Sequence, residues 1–564
     1  MVLIISHLGR DVKLCKAALR PGREYATIIR KHWRQRPEAP VTAAIFYRKR
    51  SRFNMSKNKE GRNKSMPSIR KNYTYNLIYQ IMTLLTPFIT TPYLSRVLGP
   101  DGTGIQSYTN SVVQYFAIAA ALGTASYGQR EIARSRDDKE ALGRLFWEIE
   151  LLCAGTTALC LICWMGVIGF SKEYAPYYGA LSMTLIAVAF DISWFFGGLE
   201  QYGLIVVRNM AVKCVGIAML FLFIRTKNDL LLYVSLTAAT GLLGNISMWG
   251  YLRQFVGKPD ISQLRPFRHL KETFVYFIPT IATSVYTILD KTMLGWFTGQ
   301  DKSQNGYYEY ATGFVNMSKI LIMSFNAVMS ARMSYLFGAG RIAEIQERIQ
   351  GSMDFVLFLA VPITLGLAGI AGDFVPWFLG AEYRPVISLM YVCAPLVFVV
   401  GLSDCVGSQI LTPGGMRAQS SRVIVAGAGV NFLLNLVLIP RFLASGAAAA
   451  SVIAECFITI FYLWLGRGFV KPSMIWKYGW RRLLAGLAML GAVLGLGNAL
   501  ETAAGTGPAV TFAQIIGGAV VYGLSLLLLK DPFIWKWAQM ILCRLSGRQR
   551  GGVRPLSSRI RMIG

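Results

Sequence analysis

Ten charged residues stand inside stretches that are otherwise apolar: Arg96, Lys213, Lys291, Lys319 and Arg332, and Asp191, Asp290, Asp354, Asp404 and Glu455. A charge in such a setting costs about 2.5–3.5 kcal/mol on insertion scales and faces a cavity or a partner. Arg96 and Arg332 carry guanidinium groups, which grip carboxylate or phosphate oxygens in pairs; an ammonium is only a point charge. Arg96 lies near the end of its stretch, so it also fits a snorkelling role. Asp404 and Glu455 suit a bound proton or sodium ion, or equally a structural hydrogen bond. Asp191 belongs to the same group of carboxylates. Asp290 and Lys291 are neighbours and read as an internal ion pair or a coupling site.

Other chemistries are excluded. Seven of the nine cysteines lie in apolar stretches, and the Cys160/Cys163 pair has no second pair and no histidine nearby. That is not a metal or redox pattern. The histidines, His7, His32 and His269, are scattered. There is no phosphate-binding loop, nucleophile elbow or zinc-ligand spacing. No cofactor, no metal and no enzyme activity is expected.

The elements that hold these charges are long apolar helices. Of 564 residues, 54% are hydrophobic and 15% charged, with a mean hydropathy of +0.43. Apolar runs of about 20 residues, each able to cross about 30 Å of hydrocarbon, recur about fourteen times. They cover 73–98, 105–128, 145–170, 177–199, 206–224, 230–252, 273–297, 310–337, 355–372, 386–411, 423–440, 444–465, 483–500 and 510–529. The fold class is therefore an all-α polytopic membrane protein. Pro87, Pro92, Pro279, Pro362 and Pro395 fall inside spans, where neighbours or water satisfy the freed backbone groups.

The net charge of +29 sits at the span ends, which argues against a nucleic-acid partner. Cations crowd alternate loops: Arg130 to Arg144, Arg253 to Lys271, and Arg467 to Arg482. The loops between are poor in them, such as 99–104, with only Asp101. Lys/Arg excess marks the cytoplasmic side, so both termini are expected in the cytoplasm. Segment 1–71 is polar and basic and reads as a disordered cytoplasmic tail attracted to anionic lipids, or as a sign that translation starts at Met55 or Met66. Segment 530–564 reads as an interfacial helix followed by a basic tail.

A short motif repeats. Leu98-Gly99 precedes Gly104 and Tyr108; Leu294-Gly295 precedes Gly306 and Tyr310, six spans later. An even separation keeps both copies in one orientation. This predicts two six-helix lobes, 72–252 and 273–465, a cytoplasmic linker at 253–272, and two added spans within 466–529.

Several runs resemble one family. They are Asn72-Tyr-Thr-Tyr-Asn76, Thr90 to Gly104, Tyr127-Gly-Gln-Arg-Glu-Ile-Ala133, Asp191 to Glu200, Leu289 to Gly295, and Asn431 to Arg441 with Gly446 to Ala450. In order and spacing they are similar to the polysaccharide-repeat-unit flippases of the multidrug/oligosaccharidyl-lipid/polysaccharide exporter superfamily. The resemblance covers roughly 72–529. It implies movement of undecaprenyl-diphosphate-linked oligosaccharide across the cytoplasmic membrane by alternating access, for capsule, exopolysaccharide or similar glycans. Implied partners are membrane lipids, a polymerase and glycosyltransferases. Arg96, Lys213, Lys291 and Arg332 are then candidates for the substrate path. Asp191, Asp290, Asp404 and Glu455 are coupling-ion or structural candidates. The rival readings are a multidrug and toxic compound extrusion antiporter, a lipid II-type flippase, or a membrane polymerase. An antiporter for cationic drugs predicts an anion-lined cavity, and a polymerase predicts a large external loop; neither pattern is present.

Overall fold

The computed structural model describes residues 69–257, 261–470, 472–505 and 507–535. The expected basic tail, and most of the expected interfacial helix, lie outside these residues. Every regular element among the described residues is helical.

The first half contains α1 (Ile69–Ala121), α2 (Thr124–Ser135), α3 (Lys139–Phe170), α4 (Ala175–Ala189), α5 (Ser193–Gly198), α6 (Tyr202–Phe223) and α7 (Leu230–Ser247). The second contains α8 (Leu270–Phe297), α9 (Ser303–Gly338), α10 (Ile342–Phe378), α11 (Pro385–Cys393), α12 (Pro395–Val406) and α13 (Arg417–Leu465). Two helices follow, α14 (Pro472–Ala504) and α15 (Pro508–Leu528).

Ten helical segments are long and apolar enough to cross a bilayer. One of them, α13, is really two crossings. A Cβ built on Gly427 would overlap the side chain of Ile458, yet residues that far apart in a straight helix are separated by about 46 Å. The chain therefore reverses, and it does so at Leu443, where φ is 50°. Helix α1 breaks at Gly99, with φ 70°, into two further crossings, and α8 has the length for one more. The sum is fourteen.

Large apolar side chains cover the outside. Phe170 is 94% exposed, and Leu159, Leu243, Leu433 and Phe512 are exposed as well. A soluble protein does not present so much contiguous apolar surface; hydrocarbon covers it here.

Several expected boundaries move, for identifiable reasons. The stretch 99–104 is not a loop. Gly99 takes the left-handed turn and Pro100 restarts the helix at once, as proline at a first helical position does. The fourth expected span ends early, at Ala189, and its tail folds into the short α5. There Trp194, Phe195 and Phe196 are buried against Phe146 of α3. Gly128 and Gly198 let α2 and α5 touch: a Cβ on either would overlap Trp194 or Ile132. Arg482, expected in a cation-rich loop, is 1% exposed inside α14 and pairs with Asp531 (3.3 Å) and Asp354 (3.7 Å). The carboxylates cancel a charge that a hydropathy window counts against burial.

Loops that alternate along the chain contact one another in two groups. At one end Lys227 faces Glu382 at 4.0 Å, and the Lys302 backbone N–H donates to Asp101 at 3.1 Å. At the other end the cation-rich stretch after the second span meets Glu200 through Arg136, and the Tyr127 hydroxyl bonds His269 of the 253–271 loop at 2.7 Å.

Candidate functional site

The two copies of the repeated motif meet at the Asp301 end. A Cβ at Gly104 would overlap the Lys302 carbonyl; one at Gly306 would overlap the Pro100 carbonyl; one at Gly295 would overlap the Tyr108 ring. Each copy thus receives the backbone of the other where only glycine fits. The buried Lys302 closes the join. Its ammonium donates to the Gly295 carbonyl (2.5 Å) and the Gly299 carbonyl, and lies 4.6 Å above the Tyr108 ring. Burial pulls the Lys302 pKa down, while Glu173, Asp101 and Asp301 pull it up.

Below this join, polar side chains of the two halves face each other. Lys291 of α8 and Glu309 of α9 form an ion pair of 2.7 Å, and remain 27% and 32% exposed. Ser107 of α1 donates to the same Glu309 oxygen at 2.5 Å. Thr292 donates to Ser111 (2.9 Å) and Tyr115 (3.2 Å). Charges in spans that are paired yet partly exposed require water or a polar guest beside them.

Asp290 points the other way, into the second half. It is 4% exposed. It accepts from Tyr308 (2.7 Å), from Asn435 (2.6 Å) and from Ser451. Asn435 also donates to Asn431 at 3.2 Å. The side-chain oxygen of Asn435 and the side-chain nitrogen of Asn431 are buried without hydrogen bonds. The cluster therefore gathers oxygen ligands from α8, α9 and both arms of α13, with one carbonyl oxygen unused. Hard cations bind such oxygens; a proton on Asp290 fits too.

The remaining candidates are dispersed. Arg96 donates to the carbonyls of Pro92 (2.8 Å) and Trp377. Lys213 donates to Thr83 at 2.8 Å. Arg332 is 47% exposed, pairs with Glu344 at 3.3 Å and stacks on Tyr335; Arg341 and Arg348 share the same Glu344. Asp191 is exposed and caps Ser193. Asp404 accepts from Asn326 at 2.9 Å, and Asn326 accepts from Gln409. Glu455 is half-buried, within electrostatic reach of Lys319.

Sequence reasoning missed Glu309, Lys302 and Arg208. Glu309 lies between the Gly306 and Tyr310 of the repeated motif, one residue before the span read as 310–337. Arg208 is held by Asn245 (2.7 Å) and Ser193 (2.7 Å). A charge within the first turns of an apolar run was the available signal.

A family model described as "Polysaccharide biosynthesis protein" matches residues 69–336. Over these residues the chain is similar to that family. A putative O-antigen transporter of Escherichia coli K12 is 23% identical over 406 residues, covering 70% of this chain and 95% of the relative. A probable low-salt glycan biosynthesis flippase of Haloferax volcanii is 22% identical over 293 residues, 50% of this chain and 59% of the relative. Among solved structures, an inward closed lipid II flippase, MurJ, superposes with a TM-score of 0.61 at 14% identity, covering 82% of this chain and all of MurJ. An inward-facing multidrug resistance MATE family transporter gives 0.57 at 13% identity, covering 70% of this chain and 97% of that one. These two likenesses show the fold alone: the chain shares the helical architecture of the MurJ and MATE structures.

Proposed function

We propose that the protein flips undecaprenyl-diphosphate-linked oligosaccharide from the cytoplasmic to the outer leaflet of the cytoplasmic membrane, for capsule, exopolysaccharide or a similar surface glycan. The observation that carries this reading is the Lys291–Glu309–Ser107 cluster, shared between the two halves and half open inside the membrane. A diphosphate headgroup cannot enter hydrocarbon alone. It takes Lys291 by displacing Glu309, so the ion pair, and the Ser107 contact that ties it to the first half, is exchanged for substrate. Arg332, with Arg341 and Arg348, forms a basic entrance on the cytoplasmic side, and Lys213 and Arg96 flank the path. The two six-helix lobes rock about this cluster, and the glycine join at Lys302 is the closed outer gate. Binding of a proton or sodium ion at Asp290 drives the cycle; Asp404 and Glu455 are secondary candidates. Both termini are cytoplasmic. A polymerase takes the product outside, and glycosyltransferases supply it inside.

The test is reconstitution. Proteoliposomes carrying radiolabelled undecaprenyl-diphosphate-linked oligosaccharide are treated with an impermeant glycosidase. With the protein, the whole lipid pool becomes accessible. A pool that stays split between leaflets, together with export of an amphipathic drug cation, rejects the flippase reading in favour of a drug antiporter.

A further inference from the structure

A cavity of ≈160 Å³ lies within the first half, between the second arm of α1, α4 and α7. Gln106, Asn110, Thr184 and Thr237 supply its polar wall, with Leu181 and Val234 beside them. No residue lining it carries a charge. Gln106 and Asn110 are four apart, so their amides project from one face of the helix. Neither amide, nor the Thr184 hydroxyl, has a hydrogen-bond partner among the described residues. The Thr237 hydroxyl donates to the carbonyls of Tyr233 and Val234, which leaves its oxygen free to accept.

Unpaired amides inside a membrane bundle demand a partner, because hydrocarbon supplies none. The cavity of ≈160 Å³ has room for about five waters, at about 30 Å³ each. Its chemistry selects the guest. A diphosphate needs cations, and a drug cation needs carboxylates or aromatic faces; the wall has none of these. Amides and hydroxyls both donate and accept, which matches the hydroxyls of a sugar, while Leu181 and Val234 suit the apolar face of a pyranose ring.

We infer that this cavity is an uncharged carbohydrate subsite, which seats a sugar of the headgroup apart from the cations that hold its diphosphate. The inference rests on the flippase reading and adds where specificity lies. The geometry supports the division: Ser107 and Ser111, on the same arm of α1, face the Lys291 side, while Gln106 and Asn110 line the cavity.

The experiment compares carriers with and without sugar. Purified protein in nanodiscs is titrated with farnesyl diphosphate, and with farnesyl diphosphate bearing glucose, galactose or N-acetylglucosamine. The wild type is expected to bind at least one sugar-bearing carrier about tenfold tighter than the bare carrier, since a site built for hydroxyls penalises their absence. The double variant Gln106→Leu/Asn110→Leu removes that preference yet binds bare farnesyl diphosphate as the wild type does, which also shows that it is folded. Lys291→Met weakens all carriers together. If no sugar-bearing carrier binds better than the bare one, or if the preference survives in the double variant, the cavity holds water only and the inference is overturned. If the wild type binds none of the carriers, the flippase reading itself fails, and this subsite fails with it.

Discussion

Gly104→Ala is the sharpest probe of the join between the repeated motifs. The added Cβ lands on the Lys302 carbonyl, which is backbone and cannot swing aside. Inserting a methyl group into a filled contact costs about 1–3 kcal/mol. In the alternating-access cycle proposed above, only the conformer closed at this end bears that cost. A penalty of about 2 kcal/mol shifts the balance between conformers by roughly thirtyfold, at 1.4 kcal/mol per factor of ten. Spin labels at Glu173→Cys and Arg384→Cys, both exposed at this end, report the change by double electron–electron resonance. The wild type is expected to give one short distance, and Gly104→Ala a dominant longer one. Gly313→Ala is the control: a Cβ there meets nothing within 4 Å, so the same substitution leaves the distance unchanged. If Gly104→Ala keeps the short distance in a fully folded protein, the close approach to Lys302 is not what seals this end.

Three further outcomes are expected. Arg482→Met leaves Asp531 buried without its cation, and breaking such a pair costs about 3–5 kcal/mol; a thermal unfolding series in detergent reads the loss, and the double variant with Asp531→Leu recovers part of it. Asp290→Asn keeps the shape of the oxygen cluster but removes its charge, so flipping in proteoliposomes falls by about tenfold or more and loses its dependence on pH or sodium; unchanged dependence on both excludes Asp290 from coupling. Reporter enzymes fused after Arg136, Lys258 or Lys471 read cytoplasmic, and those fused near Asp301 or Glu382 read external; an external signal at Lys258 inverts every later crossing.

The crossings were legible because hydropathy is a local property of the chain. Their joints were less so. Gly99-Pro100 looks like a loop of several residues, yet a left-handed glycine followed by a helix-starting proline needs only one. Leu443 gives no warning at all, since a leucine with positive φ exists only because Gly446 lets the chain pack against the Leu438 carbonyl. Asp290 was flagged from its depth alone. Its partners Asn431, Asn435, Ser451 and Tyr308 were not, because polar uncharged residues barely disturb an apolar run. Glu309 and Arg482 escaped for a common reason: each is neutralised by a residue distant in sequence, and a window of neighbours cannot see the partner.

The glycine join has an electrical consequence. A cell membrane holds a potential worth about 2.3 kcal/mol per elementary charge for each 100 mV, and any continuous thread of water through a carrier would discharge it. Side chains that meet across a gap leave crevices that wet and conduct. Here carbonyls and Cα atoms meet directly at Gly104 and Gly306, and the ammonium of Lys302, buried at the same level, repels sodium ions and protons from whatever space is left. On the proposed gating this join acts as an insulator, and a protein arrested in the conformer closed here should carry no measurable leak current.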